Sequence, residues 1–186
     1  PNRMKQKDVQ AFVSEKWAWI EKNYREMQQK RQKREDLFQT YQLTDDRIRE
    51  LAKQACQIIP QRVAYYAEKM GVTYGRITIR NQKTRWGSCS SKGNLNFNCM
   101  LMLAPREVLD YVVIHELCHR KEMNHSKRFW KEVEKVMPDY EVHKKWLKEN
   151  GSILLIAKEL QDVQIIVTIT NGYQRYRINL KKYLMK

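Results

Sequence analysis

Residues 115–125 read His-Glu-Leu-Cys-His-Arg-Lys-Glu-Met-Asn-His, and they hold three of the four histidines in the chain. The spacing has a chemical use. On an α-helix, residues i and i+4 lie about 40° apart around the axis and one turn apart along it. His115 and His119 therefore present two imidazoles to one point. Glu116, beside the first, is placed to act as general base on water at a metal held there, the arrangement of zinc hydrolases. A catalytic zinc takes three protein ligands and keeps a fourth position open. His125 completes that set if the helix ends and the chain turns back. The pattern predicts Zn2+ on His115, His119 and His125, with Glu116 as the catalytic residue.

The context favours a working site over a solvated helix. Val108-Leu-Asp-Tyr-Val-Val-Ile114, just before the motif, is apolar, so the helix is expected to be buried. Buried imidazoles and a buried carboxyl need partners. Cys118 falls to the side of His115 and reads as a small buried hydrophobe. His143 lies outside the motif and reads as an ordinary packing or surface residue. Metzincins share the His spacing but carry Gly where this chain has Glu122. That Gly eases a sharp turn. Without it, the return is expected at Met123-Asn124.

Several elements must position these groups. Val9, Phe12, Val13, Trp17, Ile20, Tyr24 and Met27 recur at helical steps, which predicts a helix over 8–35 capped by Asp8. A second helix is predicted over 44–70, capped by Thr44, stopped by Gly71 and kinked or split at Pro60. The period then changes to two. Residues 76–80 and 94–103 alternate, with a turn at 90–93, which predicts an antiparallel hairpin of roughly 77–86 and 94–103. The motif helix starts near Pro105 and should end near 121–124. Helices over 126–136 and 141–150 follow, the last stopped by Gly151. In the tail, Asn171-Gly172 between β-rich runs predicts a two-stranded ribbon, which needs other structure to pack on. The fold class is α+β. The expected division is a helical region (1–43), a core (44–151) and an extension (152–186).

Composition narrows the class. The chain has 186 residues, 42% of them hydrophobic, enough for a real core. No apolar run approaches the roughly 20 residues needed to span a bilayer. The basic start at 1–7 has no apolar stretch behind it, so no signal peptide is expected, and a Pro start points to a natural N-terminus further upstream. Cys56, Cys89, Cys99 and Cys118 form no Cys-x-x-Cys pair and read as reduced thiols in a cytoplasmic protein. The net charge of +15 favours acidic partners, nucleic acid among them. Residues 71–106 contain no acid but hold Arg76, Arg80, Lys83, Arg85, Lys92 and Arg106.

With these motifs on the page, the chain resembles the YgjP-like metallopeptidases, close to the SprT-like and WLM zinc proteases. The resemblance rests on Thr84-Arg-Trp-Gly-Ser-Cys89, Leu103-Ala-Pro105, Leu109-Asp-Tyr-Val-Val-Ile-His-Glu-Leu-Cys-His119, Asn124-His-Ser126, Phe129-Trp130 and Met137-Pro-Asp-Tyr140. It implies a zincin-like domain in which a small antiparallel sheet lies on the motif helix and its edge strand lines a cleft. It matches His115, His119 and His125 to metal positions and Glu116 to the base. It also places Arg85, Trp86 and Gly87 beside the substrate, with core packing an equal reading for Trp86. The family begins with a short β-rich segment not found here, and the tail ribbon is expected to supply strands in its place.

The leading expectation is a zinc metallopeptidase acting on protein or peptide substrates, an extended peptide adding to the sheet edge. Arg85, Tyr111 and Tyr140 are candidates for the oxyanion donor. Two alternatives stand beside it: a DNA-associated, SprT-like protease acting on DNA-bound proteins, and a non-catalytic module stabilised by structural zinc.

Overall fold

Thr44 and Gly71 bound the helix on which much of the core is built. In the computed structural model, which describes residues 6–41, 44–82, 84–156, 163–170 and 173–180, α2 runs Asp45–Met70. The Thr44 hydroxyl accepts from the Arg47 amide at 3.2 Å. Gly71 closes the other end at φ 63°, a left-handed conformation natural to glycine. Pro60 does not split α2. Ile48, Leu51, Ala55, Ile59 and Val63 run buried along one side through that position, and their packing outweighs the loss of one helical N–H.

The first helix, α1, spans Gln6–Tyr41, so Asp8 lies in its first turn rather than at its cap. Phe12, Trp17, Trp19, Tyr24 and Met27 on α1 are exposed. No described helix is long and apolar enough to cross a membrane.

The sheet corrects the expected hairpin. Its strands are β1 (Ile77–Arg80), β2 (Gly87–Cys89), β3 (Leu95–Asn98), β4 (Val163–Thr170) and β5 (Tyr173–Leu180), in the order β2-β3-β1-β4-β5. β1 and β3 are parallel, Ile77 opposite Leu95 and Ile79 opposite Phe97. The antiparallel partner of β3 is β2, Gly87 facing Phe97. The turn at Ser90–Gly93 therefore joins β2 to β3, and Gly93 takes φ +78° there. Alternation identified a buried face but not which strand lies beside it.

The second arm also stops early. Cys99–Leu103 is a 3-10 helix, not strand. Asn98 makes the break: its Oδ1 accepts from the Met100 amide at 3.1 Å, and its Nδ2 donates to the Gln82 and Arg85 carbonyls at 2.8 and 3.0 Å. Such local bonds compete with a strand ladder.

β4 pairs antiparallel with β1, Ile77 opposite Ile169, and β5 pairs with β4 from Thr170–Tyr173 to Val163–Leu180. The Asn171-Gly172 turn lies outside the described residues, as does Lys83.

Three helices complete the core. α3 is Arg106–Cys118, α4 is Lys127–Val136 and α5 is Tyr140–Ile156. On α3 only Arg106, Glu107 and His115 are not buried. α5 runs through Gly151 instead of stopping there. A β-carbon at Gly151 would lie 2.8 Å from Nε1 of Trp86, so this glycine serves close helix-to-indole contact rather than termination.

Candidate metal centre

α3 ends one residue before the second motif histidine. His119 is the C-cap, and Arg120, Lys121 and Glu122 turn back through backbone bonds to Leu117 and Cys118. The helix was expected to run further. Its early end lets the Glu122 carbonyl reach Nδ1 of His119 at 3.1 Å. A carbonyl only accepts, so Nδ1 carries the proton and Nε2 keeps its lone pair. After bends at Met123 and Asn124, His125 follows. Ser126 then caps α4, its hydroxyl accepting from Phe129 at 3.4 Å. Ion pairs of Glu122 with Arg128 (3.3 Å) and Glu132 with Lys121 (3.0 Å) brace this return.

The three histidines thereby meet. One nitrogen from each lies within 4.8 Å of the others, and Nε2 of His115 is 2.9 Å from Nε2 of His125. Phe129, fully buried, lies against all three, with ring centroids 4.9 Å from His115, 4.7 Å from His119 and 4.8 Å from His125. It is an apolar backing for the cluster. The sequence signal was present, since Phe129 follows His125 by four residues at the start of the next helix, but it read only as core.

Burial sets the protonation states. It lowers the His115 pKa to about 3, with His119, His125 and Lys144 adding like-charge repulsion. It also lowers that of His119. Both rings are neutral and offer lone pairs. Glu116 is 5% exposed, and no described residue hydrogen-bonds its carboxyl. Burial raises its pKa to about 8, opposed by the positive charge of Arg85.

β2 passes directly over this carboxyl. A β-carbon at Gly87 would lie 2.6 Å from Oε1 of Glu116. Arg85, just before β2, is exposed. Trp86 is partly buried and packs on the core. Tyr111 is buried with its ring edge-on to His115 at 5.9 Å and stacked on Tyr140 at 6.4 Å. Tyr140 in turn stacks on Trp130 at 5.4 Å. Cys118 is fully buried and burial raises its thiol pKa to about 12, so it is an inert core residue. His143 lies 3.3 Å from Asp139, outside the cluster.

A family model described as "YgjP-like, metallopeptidase domain" matches residues 39–150. That span is more than half of the chain, which belongs to this metallopeptidase family. Among solved structures, it is similar to the crystal structure of the metallopeptidase zymogen of Pyrococcus abyssi abylysin, at 24% identity and a TM-score of 0.45, covering 50% of this chain and 94% of that one. No curated protein matches.

Proposed function

We propose that this metallopeptidase is a zincin-like, zinc-dependent enzyme in which His115, His119 and His125 hold the ion and Glu116 is the general base. The observation that carries the reading is the meeting of three imidazole nitrogens within 4.8 Å, with the buried Glu116, whose carboxyl no described residue hydrogen-bonds, next to the first of them in sequence. Neutral imidazoles suit zinc, and the fit is good on the chemistry of the donors. Among the described residues no fourth His, Cys, Asp or Glu joins the group, which favours an open catalytic site over a closed structural one.

When bound, zinc would supply Lewis acidity that activates water near neutral pH and polarises the scissile carbonyl. Glu116 takes the proton of the attacking water on its carboxylate and passes it to the leaving amine. A cation nearby lowers the Glu116 pKa from its buried value towards the working range. Phe129 keeps water from the far side of the imidazoles. The edge strand β2, with Arg85, Trp86 and Gly87, lines the substrate cleft, and an extended peptide adds to it by main-chain hydrogen bonds. The division into a helical region (1–43), a core (44–151) and an extension (152–186) remains part of this reading, as does a cytoplasmic location.

The test is metal analysis coupled to peptide cleavage. Purified protein should carry about one zinc per chain, lose cleavage on chelation and regain it when zinc is restored. Cleavage that survives chelation with the metal gone would refute the reading.

A second reading, a protease acting on DNA-bound proteins, is favoured by one feature: Arg76, Arg85, Lys92 and Arg106 of the acid-free stretch are exposed. Binding to duplex and single-stranded DNA across a salt series tests it, because phosphate contacts weaken steeply with salt.

A further inference from the structure

The groups that frame the metal centre are not balanced in charge. Glu122 is paired with Arg128, Glu132 with Lys121 and Glu141 with Lys144. Arg85 is different. Its side chain is exposed, and no described residue hydrogen-bonds it or pairs with it. Its backbone is nonetheless fixed, because the Arg85 carbonyl accepts from Nδ2 of Asn98 at 3.0 Å. Two residues on, Gly87 leaves no room for a β-carbon, which would lie 2.6 Å from Oε1 of Glu116. Arg85 is therefore a cation without a hydrogen-bonding or ion-pair partner among the described residues, anchored just before the edge strand that carries Gly87. Its charge is felt at Glu116. Across the cluster, Lys144 lies 4.1 Å above the Trp130 ring and 5.7 Å above that of Tyr140, but it is already paired with Glu141.

We propose that Arg85 is a specificity-determining residue that pairs with an acidic side chain of the substrate, so that the cleft selects polypeptides bearing Asp or Glu close to the scissile bond. The inference rests on the peptidase reading above. A guanidinium is suited to the role, since it is always charged and matches a carboxylate with two parallel N–H donors. A substrate lying along β2 brings its side chains to Arg85 at a fixed distance from Glu116. A basic side chain at that position meets Arg85 as a like charge and is disfavoured.

The test uses the zinc-loaded protein and a peptide library randomised over ten positions, with cleavage sites read by mass spectrometry. The expected result is enrichment of Asp and Glu, roughly twofold to fivefold over Gln, at one position within three residues of the cleaved bond. That enrichment should vanish in Arg85→Gln and be partly kept in Arg85→Lys. No enrichment, or enrichment unchanged in Arg85→Gln, overturns the inference. In parallel, the Glu116→Gln variant, with and without Arg85→Gln, is titrated against two fluorescein-labelled decapeptides carrying a central Glu-Glu or Gln-Gln. Tighter binding of the Glu peptide only when Arg85 is present supports the contact. If that preference is seen while the wild type cleaves no library peptide, the peptidase reading fails and the charge preference stands. Equal binding of both peptides overturns it, as does Arg85-dependent binding of a short oligonucleotide without any peptide preference, which would make phosphate the partner.

Discussion

Gly87 and Glu116 approach too closely for a side chain between them: a β-carbon on Gly87 would sit 2.6 Å from Oε1 of Glu116 and 2.8 Å from its Cγ. The edge strand and the proposed general base thus share one van der Waals surface, and only glycine allows it. Gly87→Ala should displace the carboxyl while leaving the histidines in place. We predict zinc content near that of the wild type and a fall in kcat/KM of about a hundredfold, the effect expected of a misplacement near 1 Å. Unchanged kcat/KM would show that the carboxyl position is not critical.

Phe129 supports all three imidazoles at centroid distances of 4.7–4.9 Å. Phe129→Ala removes a fully buried ring and is expected to cost about 3–5 kcal/mol in urea unfolding. It should also loosen zinc by roughly 10–100-fold in competition with a chromogenic chelator, the scale of lost supporting contacts around a metal. Phe129→Leu should recover most of the stability. Unaltered zinc affinity in the alanine variant would make Phe129 ordinary core.

α3 is held at the right rotation from α2. Arg62 donates to both carboxylate oxygens of Asp110, at 2.6 and 2.7 Å. Asp110 lies five residues before His115, so this pair fixes the helix that presents the site. Asp110→Ala removes the charged partner of a partly buried guanidinium that keeps only the Tyr66 hydroxyl and the Tyr65 and Tyr66 rings, and we predict a loss of about 1–3 kcal/mol. Thermal or urea unfolding of the variant is the check, and a loss below about 0.5 kcal/mol would place the pair among inconsequential surface contacts.

The metal-free protein should show a specific pH signature. The folded pKa of Glu116, about 8, lies above its ordinary value of 4.5. Between those values the folded state keeps a proton that the unfolded state releases, so this group's contribution falls as pH rises. The slope reaches at most about 1.4 kcal/mol per pH unit. His115 has the opposite sense: its folded pKa, about 3, lies below 6.5, so stability falls as pH drops through that range. The two oppose each other between pH 4.5 and 6.5, which leaves pH 6.5–8 to report Glu116. Metal-free Glu116→Gln should gain on the wild type steadily over that window. Parallel stability curves would contradict the assignment.

The candidate site was legible in the sequence because its geometry is local. Two of the proposed ligands follow from helix periodicity, and the third needs only a six-residue return, so His115, His119 and His125 could be grouped without knowing the sheet. The sheet was less legible, because alternation at 76–80 and 95–98 marks a face and not a neighbour, and β1 proved parallel to β3 rather than its hairpin partner. Asn98 ended the strand through side-chain bonds to residues 82, 85 and 100, which no periodicity encodes. Gly151 read as a stop, yet it lies inside α5 because the Trp86 indole needs the space. The backing role of Phe129 was hidden for a similar reason, since only the folded return loop brings the three imidazoles onto one ring.

The central claim is that Glu116 moves the proton at a site built by three histidines. The most direct measurement is the zinc content of Glu116→Gln together with its cleavage of the best peptide substrate. We predict about one zinc per chain, as in the wild type, with kcat lowered by roughly 10²–10⁴-fold, the range for loss of a general base. Full zinc occupancy with cleavage within a factor of about three of the wild type, a difference well under the 1.36 kcal/mol of a tenfold effect, would contradict the account.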